Sequence, residues 1–425
     1  MTLYLLSFLG FMVIGIPVAF SLGLSSLTYL IVNDQLHLLI GFPQKMIAGI
    51  DNFVLLTIPF FILAGNLMNS AGITERIFDF AKALVGWMRG GLGHVNIGAS
   101  VIFAGMSGAA VADAGGLGAI EIKAMRDAKY DPGFAVGITA ASSTIGPIIP
   151  PSLPMVIYGV VAGASIGQLF AAGFVPGLLM AVALMIMVAI YARRRGYPRD
   201  QAFSIPVLGS TFLRAFLSLM TPVIIVGGIL SGAFTPTEAA IAACAWALFL
   251  GIVVYRTLSL RRFLRVSFDT IETTAVVLFI VAAASIFAWI LASNRVPEHF
   301  ASLVLMVSEN PIIVLLLINL ILLIVGCFME TVAAITILVP VLLPIAVKVG
   351  VDPVHFGVIV VLNLMIGLLT PPVGMVLYVL SRVAKVPFER CVTATAPFLI
   401  PLFIVLMLVT FVPAITLWLP TLLYR

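Results

Sequence analysis

The sequence of 425 residues contains little charge, since Asp, Glu, Lys and Arg together make up 9% of it while hydrophobic residues make up 62%. Its mean hydropathy of +1.24 lies well above the range of water-soluble globular domains. The chain also lacks a polar stretch long enough to form a soluble domain, because its longest polar segments are connectors such as residues 193–204. These absences argue against a soluble enzyme or a nucleic-acid-binding protein and predict a membrane-embedded chain.

Several chemical motifs are also missing. The sequence contains no H-E-x-x-H zinc motif, no Walker A phosphate-binding loop and no C-x-x-C pair. The three cysteines, Cys244, Cys327 and Cys391, are far apart in apolar surroundings, and we interpret them as packing residues without a metal or redox role. The sequence therefore predicts no organic cofactor, no transition metal and no ATP hydrolysis.

Long apolar runs dominate the sequence, and those at residues 3–32 and 167–191 exceed twenty residues. This length is typical of transmembrane helices, whereas the strands of membrane β-barrels alternate over about ten residues. The start of the first run is too uncharged for a cleaved signal peptide, so we expect it to be retained as the first helix. The predicted fold class is an all-α polytopic membrane protein.

One apolar run, residues 140–158 with the sequence AASSTIGPIIPPSLPMVIY, is interrupted by Gly146, Pro147, Pro150 and Pro151. Proline has no backbone donor and clashes with the preceding turn, so several backbone groups lose their helical partners. Unwound backbone at membrane depth is tolerated only where protein encloses it or where it lines a hydrated cavity. The interruption therefore predicts a binding site inside the membrane.

The basic residues predict the topology. Residues 193–199 and 256–265 are rich in arginine and are expected in the cytoplasm, which also places the N-terminus in the cytoplasm and the C-terminus in the periplasm of a bacterial inner membrane. Residues 74–89 have the pattern of an amphipathic interfacial helix. Residues 91–128 have a centre of small residues and basic residues near their far end, which predicts a re-entrant helical hairpin entered from the cytoplasm.

The second half of the chain repeats the first. Gly326, Asp352-Pro353 and Pro371-Pro372 each follow a matching residue by 221 positions, and the charge distribution places the second hairpin on the opposite side. We therefore predict inverted repeats, a first over residues 1–205 and a second over residues 236–425, joined by a linking span at 206–235. The predicted hairpins are residues 91–128 and 311–349, and the predicted broken spans are residues 134–163 and 356–383. Such paired interruptions indicate a transporter site near the membrane midplane.

The candidate site residues lie at the hairpin tips and helix interruptions. Unwound carbonyl groups and hydroxyl groups suit a hard cation, and helix N-termini suit anionic substrate groups. The predicted cation-binding residues are Ser107, Gly108, Asp113, Ser142, Ser143, Thr144, Gly146, Thr331, Asn363, Gly367 and Thr370. The predicted substrate-binding residues are Ser107, Ser152, Glu330 and Arg295. The alternative for each hydroxyl is a hydrogen bond to the backbone in a packed helix interface, and for Arg295 an ordinary interfacial position.

Two other function classes remain open at this point. The segment Gly105-Met-Ser-Gly108 fits the G-x-S-G pattern of rhomboid-type intramembrane proteases, with Ser107 as the nucleophile. A protease would need one of the four histidines as its base and would leave the second half without a role. The other class is a passive anion channel, which differs from a coupled transporter only in its energy source.

Long motifs in the sequence resemble those of the large membrane subunit of tripartite ATP-independent periplasmic (TRAP) transporters. They are IPFFILAGNLM at 58–68, ASVIFAGMSGAAVADAGGLG at 99–118, TAASSTIGPIIPPSLPMVIYG at 139–159, FTPTEAA at 234–240 and DPVHFGVIVVLNLMIGLLTPPVG at 352–374. The resemblance implies a transporter rather than an enzyme. The implied substrate is an organic acid, such as a C4-dicarboxylate or a sugar acid like sialic acid, imported with sodium by an elevator mechanism.

The resemblance also implies two partners, a soluble periplasmic substrate-binding protein and a small four-helix membrane subunit. Met1 leads directly into the first apolar run, so we expect the small subunit to be a separate chain. The tip and interruption residues of the family correspond to Ser107, Ser152 and Glu330.

Overall fold

The structure is a computed structural model that describes residues 2–197, 199–308 and 310–424. Its regular segments are helical, apart from an isolated β-bridge between Arg89 and Arg199. The α-helices of the first half are α1 (Thr2–Val13), α2 (Val18–Val32), α3 (Phe42–Ile50), α4 (Thr57–Ser70), α5 (Ile73–Val85), α6 (Gly91–Ser107), α7 (Ala110–Gly115), α8 (Leu117–Asp127), α9 (Pro132–Ser143), α10 (Leu153–Ala162) and α11 (Ile166–Arg195). The α-helices of the second half are α12 (Ile205–Leu230), α13 (Pro236–Phe249), α14 (Leu260–Ser293), α15 (Val296–Val307), α16 (Pro311–Gly326), α17 (Thr331–Lys348), α18 (Pro353–Gly367), α19 (Met375–Ala384), α20 (Phe388–Phe411) and α21 (Ala414–Leu423).

Within the described residues, seven helical segments are long and apolar enough to cross a membrane. Shorter apolar helices accompany them, among them α10, α18 and α19. Many large hydrophobic side chains remain exposed on their outer faces, for example Ile186 and Leu213. The prediction of an all-α polytopic membrane protein is confirmed.

The apolar run at residues 3–32 forms two helices, α1 and α2, so the prediction of a single first helix is wrong. Gly15 has a positive φ of 90°, and Pro17 stands at the N-cap of α2. Proline cannot donate the amide hydrogen that would continue the helix, and the left-handed residue turns the chain. The run at 392–419 is also divided, into α20 and α21, with Pro413 between them.

The two predicted hairpins and the two broken spans are present. The first hairpin consists of α6 followed by α7 and α8, and the second consists of α16 and α17. The first broken span is α9 and α10, interrupted at residues 144–152, and the second is α18 and α19, interrupted at 368–374. The peptide bonds Pro150-Pro151 and Pro371-Pro372 are both cis.

The two broken spans run in opposite directions. At one face, the Asp131 carboxylate at the start of α9 lies 3.6 Å from Arg195 and 3.6 Å from Arg390, at the start of α20. At the same face, Arg126 donates a 2.5 Å hydrogen bond to the Ala384 carbonyl, which ends α19. One broken span therefore begins where the other ends, as the predicted inverted repeat requires.

The opposite face supports the same conclusion. There the Tyr158 hydroxyl, near the end of α10, donates a 2.6 Å hydrogen bond to the carbonyl of Pro353 at the start of α18. The halves also exchange contacts, since α10 packs against α17 while α19 packs against α7 and α8. The second helix of each broken span, α10 or α19, therefore packs against the hairpin of the other half.

Candidate functional site

The first helix interruption is closed by a side-chain cap. Ser152 is fully buried and stands at the N-cap of α10, where its Oγ accepts a 3.2 Å hydrogen bond from the Met155 amide. The same hydroxyl donates to the Pro147 carbonyl within the unwound segment. Its hydrogen and one lone pair are therefore used by the fold, which is the arrangement of a helix cap.

Each hairpin tip rests on the backbone of the interruption in its own half. In the first half, the Leu153 amide donates a 3.3 Å hydrogen bond to the Gly108 carbonyl. In the second half, the Val373 amide donates a 3.2 Å bond to the Cys327 carbonyl. A Cβ atom on Gly108 would lie 2.6 Å from the Pro151 carbonyl oxygen, and its φ of 62° also favours glycine.

Asp113 faces the first interruption. Its side chain is buried, and a Cβ atom on Gly146 would lie 2.1 Å from Asp113 Oδ2 and 3.5 Å from the Ser143 carbonyl oxygen. A carboxylate and a main-chain carbonyl therefore converge beside a glycine that has no side chain to fill the space. Oxygen ligands of this kind suit a hard cation such as sodium.

A buried network of polar side chains joins the first hairpin to α9, the first helix of the first broken span. The Asn96 amide nitrogen donates 2.7 Å hydrogen bonds to Glu121 Oε2 and to Thr139 Oγ1, and the Ser142 hydroxyl donates a 2.5 Å bond to Asn96 Oδ1. All four side chains are buried, and so is that of Asp113. The first half therefore holds two buried acids, Asp113 and Glu121.

The second half contains a related network of neutral groups. Asn363 follows Ser142 by 221 residues, and its amide nitrogen donates to Asn319 Oδ1 at 2.7 Å and to the Asn319 carbonyl at 3.0 Å. Asn319 itself donates a 3.3 Å bond to Thr410 in α20. In both halves, therefore, a buried asparagine in the first helix of the hairpin forms a hydrogen bond with the equivalent residue of the broken span, Ser142 in α9 or Asn363 in α18.

Three of the other predicted hydroxyl groups bond to the backbone one turn earlier. Ser143 donates to the Ala140 carbonyl at 2.8 Å, Thr144 to Ala141 at 2.6 Å, and Thr370 to Gly367 at 2.8 Å. This is the alternative that the sequence left open for each of them. A hydroxyl that donates its hydrogen still has oxygen lone pairs, so this bonding is compatible with cation coordination.

The predicted substrate residues have separate surroundings. Glu330 is the N-cap of α17, and its carboxylate accepts hydrogen bonds from the amides of Val332 at 2.8 Å and Ala333 at 3.3 Å, while the next residue, Thr331, is buried. Arg295 is exposed between α14 and α15, and no hydrogen bond or ion pair among the described residues joins it to a tip or interruption. Ser107 ends α6, and its side chain lies outside the described part of the structure.

A recess of about 140 Å³ lies between α4 and the first hairpin tip. Its polar side chains are Asn66, Asn69 and Thr273, and the Ala109 and Ala112 positions of the hairpin form its opposite wall. The Asn66 amide donates a 3.1 Å hydrogen bond to Thr270, and Asn69 accepts a 2.9 Å bond from Thr74. The recess combines amide and hydroxyl groups with the tip, as expected where a polar substrate meets the hairpin.

The sequence interpretation missed these two asparagines as well as Asn96, Glu121 and Asn319. Asn66 and Asn69 lie three residues apart in an otherwise apolar helix, a spacing that places both on one face. That pattern could have identified them. Glu121 was not recognised as a buried residue, because the basic residues Lys123 and Arg126 follow it and make the segment resemble a solvent-exposed helix end.

Comparison of the sequence with known protein families gives a match over nearly the whole chain. The family described as "Tripartite ATP-independent periplasmic transporter, DctM component" matches residues 5–415. The chain belongs to that family. It is therefore the large membrane subunit of a TRAP transporter and not an enzyme, as the sequence motifs predicted.

Two relatives of this TRAP subunit illustrate the likeness. It is 55% identical over 97% of both chains to the sialic acid TRAP transporter large permease protein SiaM of Vibrio cholerae. It is 40% identical, over 94% of this chain and 93% of the relative, to the C4-dicarboxylate TRAP transporter large permease protein DctM of Pseudomonas aeruginosa. The solved YdaH transporter of Alcanivorax borkumensis shares the fold with a TM-score of 0.65 at 13% identity, covering 91% and 90% of the two chains.

The geometry of the TRAP subunit also argues against the protease alternative. Ser107 and His94 are on the same helix, α6, at its opposite ends. Thirteen residues separate them, which corresponds to about 20 Å along a helix. His355 is engaged elsewhere, because its Nδ1 lies 2.7 Å from the Thr416 hydroxyl in α21. Neither histidine is placed to activate Ser107.

Proposed function

We propose that this subunit imports a sugar acid of the sialic acid type together with sodium ions. The choice of substrate is supported by relatives named as sialic acid transporters, which are 55% and 45% identical to this chain, against 40% and 37% for two relatives named for C4-dicarboxylates. Sialic acid has one carboxylate and many hydroxyl groups. The amide and hydroxyl groups of the recess beside α4 match that chemistry.

The observation that carries the proposal of sodium coupling is the convergence of Asp113 and the Ser143 carbonyl at Gly146. Carboxylate and main-chain carbonyl oxygens are the ligands that a hard cation prefers. A sodium ion at this position would bind to both of these oxygens. In the second half, the unwound carbonyls near Gly367 and the hydroxyl of Thr370 would provide a neutral counterpart for a second ion.

The proposed movement is an elevator. The recess of about 140 Å³ is smaller than the roughly 300–1,000 Å³ of typical ligand pockets, so α4 and the first tip must separate to admit a sugar acid. We infer that the two hairpins and the two broken spans move as one unit against α4 and α14. Their mutual contacts, α10 with α17 and α19 with α7 and α8, support a common body.

The proposed assembly contains a soluble periplasmic binding protein that delivers the substrate and a small four-helix membrane subunit. In the proposed orientation, the N-terminus lies in the cytoplasm and the C-terminus in the periplasm. The face that carries Arg126, Arg195 and Arg390 would then be cytoplasmic, in agreement with the distribution of basic residues. Labelling of single cysteines near each terminus in intact cells tests this orientation.

Uptake by proteoliposomes tests the function. Vesicles that contain this chain, its small subunit and the binding protein are expected to accumulate labelled sialic acid only with an inward sodium gradient. Replacing sodium by potassium at equal ionic strength is the control. Equal uptake in both salts would refute the coupling, and uptake of succinate without uptake of sialic acid would refute the substrate.

A further inference from the structure

A second cavity, of about 350 Å³, lies outside the proposed transport site. We call it the basic pocket, and it is lined by Trp87, Met88, Arg89, His94, Ala189, Arg193 and Arg199. It forms where the connector between α5 and α6 meets the end of α11 and the loop that follows. None of its residues belongs to a hairpin tip or to an interrupted helix.

The fold holds the arginines of the basic pocket together. Arg89 and Arg199 pair through an antiparallel β-bridge, and like charges in directly opposite positions repel each other. All three arginines are exposed, and within the described part of the chain none of them forms an ion pair. The carboxylate nearest in sequence is used elsewhere, because Asp200 Oδ2 accepts hydrogen bonds from the Leu92 amide at 2.7 Å and the Tyr130 hydroxyl at 2.6 Å.

His94 provides an independent indication of a ligand. It lines the basic pocket, its side chain is 1% exposed, and neither ring nitrogen has a regular hydrogen-bond partner among the described residues. The Arg89 backbone faces the ring without completing such a bond. A buried polar group without a partner is destabilising, so a ligand oxygen in the pocket would satisfy it.

Aromatic side chains indicate the depth of the pocket. Trp87 and Phe203 contact each other edge to face with their ring centroids 6.0 Å apart, and both remain exposed. Exposed aromatic residues of this kind mark the membrane–water interface. The arginines of the basic pocket therefore lie at the level of the lipid head groups, on the face that basic residues assign to the cytoplasm.

We propose that the basic pocket binds the phosphate group of an anionic phospholipid. Guanidinium groups bind phosphate oxygens in a bidentate manner, and three of them would compensate the negative head group. Inorganic phosphate has the same chemistry, but the interfacial aromatic pair favours a lipid as its source. The bound lipid would fasten the entrance of the first hairpin to the cytoplasmic leaflet.

The fluorescence of Trp87 tests the proposal in the full chain. Trp246, Trp289 and Trp418 are replaced by phenylalanine, and the protein is reconstituted in phosphatidylcholine vesicles in which either phosphatidylglycerol or an equal fraction of phosphatidylcholine carries brominated chains. We expect about fivefold or stronger preference for quenching by phosphatidylglycerol, because each arginine near an anionic surface contributes about that factor. The triple variant R89Q/R193Q/R199Q is expected to lose the preference.

The matched control removes three arginines from the start of α14, as R261Q/R262Q/R265Q, and is expected to keep the preference. Equal quenching by the two brominated lipids, or equal loss in both triple variants, would overturn the proposal. A change in Trp87 emission on adding inorganic phosphate to pure phosphatidylcholine vesicles at constant ionic strength would also overturn the lipid source. If the phenylalanine replacements prevent folding, the count of phosphatidylglycerol retained by the purified native-tryptophan proteins gives the same comparison.

Discussion

The two halves of the protein share a backbone design but differ in charge. Ser142 and Asn363 occupy equivalent positions, and each bonds to a buried asparagine in the first helix of its hairpin. Both tips also hydrogen-bond to the interruption beside them. By contrast, the first half buries Asp113 and Glu121, where the second half has Ala334 and Leu342.

The shared backbone and the unshared acids therefore point to two different roles. Inverted, interrupted helices give two equivalent backbones that face opposite sides, as alternating access requires. The acids are not duplicated, so the two predicted cation sites should differ. We expect the site at Asp113 to bind sodium more tightly than the neutral site near Gly367.

The largest effect is expected from removing the buried carboxylate of Asp113. Asp113→Asn is expected to weaken sodium activation of uptake about a hundredfold, because losing a buried charged contact costs about 3 kcal/mol. The sodium dependence of uptake in proteoliposomes measures this effect. Asp269→Asn, at an exposed position of α14, is the matched control. Unchanged sodium activation in Asp113→Asn would remove this carboxylate from the site.

The glycines at the two interruptions should respond differently to a methyl group. A Cβ atom on Gly367 would lie 2.6 Å from the carbonyl carbon of Gly326, whereas a Cβ atom on Gly146 meets the movable carboxylate of Asp113. Gly367→Ala should therefore destabilise the fold by about 1–3 kcal/mol through overpacking. Gly146→Ala should instead mainly reduce sodium affinity.

The unfolding temperature in detergent and the sodium dependence of uptake separate the two effects. Gly209→Ala is the control, because nothing lies within 4 Å of a Cβ atom at that position of α12. The same stability loss in Gly146→Ala and Gly367→Ala, with unchanged sodium affinity in both, would contradict the difference between the halves.

A smaller effect is expected at the equivalent polar pair. Asn363→Ala removes two hydrogen bonds to Asn319, and Ser142→Ala removes one to Asn96 Oδ1. A typical buried hydrogen bond contributes about 1 kcal/mol, so Asn363→Ala should lower stability about twice as much as Ser142→Ala. Thermal unfolding of the purified chain measures both, with Ser210→Ala on the exposed face of α12 as control. A larger loss from Ser142→Ala would show that the hydrogen-bond network that contains Glu121 contributes more to stability than the Asn363–Asn319 pair.

The smallest effects concern the helix caps. Ser152→Ala should cost about 1 kcal/mol of stability, because the Met155 amide loses its acceptor. Glu330→Gln should cost less, since the amide oxygen can still accept from Val332 and Ala333, whereas Glu330→Ala removes the cap. Unfolding temperature and uptake are measured together for all three. If Glu330→Gln abolishes uptake at unchanged stability, the carboxylate charge acts in transport, which would support the predicted substrate-binding role of Glu330.

The sequence alone determined the membrane class, the positions of both interruptions and the pattern of the inverted repeat. These features depend on local chemistry, because the missing amide hydrogen of Pro150, Pro151, Pro371 and Pro372 acts wherever the chain places it. Ser152 begins the half-helix that follows the first interruption. Charge in the connectors, together with the number of crossings, predicted the opposite orientation of the halves.

Only the tertiary structure decided which polar groups meet. Asn96, Glu121 and Ser142 are far apart in sequence, and their shared network depends on how α6, α8 and α9 pack. The exchange of contacts between α10 and α17, and the split of residues 3–32 into two helices, were likewise not apparent from hydropathy. Apolar periodicity shows that a helix is buried, but within a membrane nearly every face is apolar, so long-range packing alone selects the partners of each side chain.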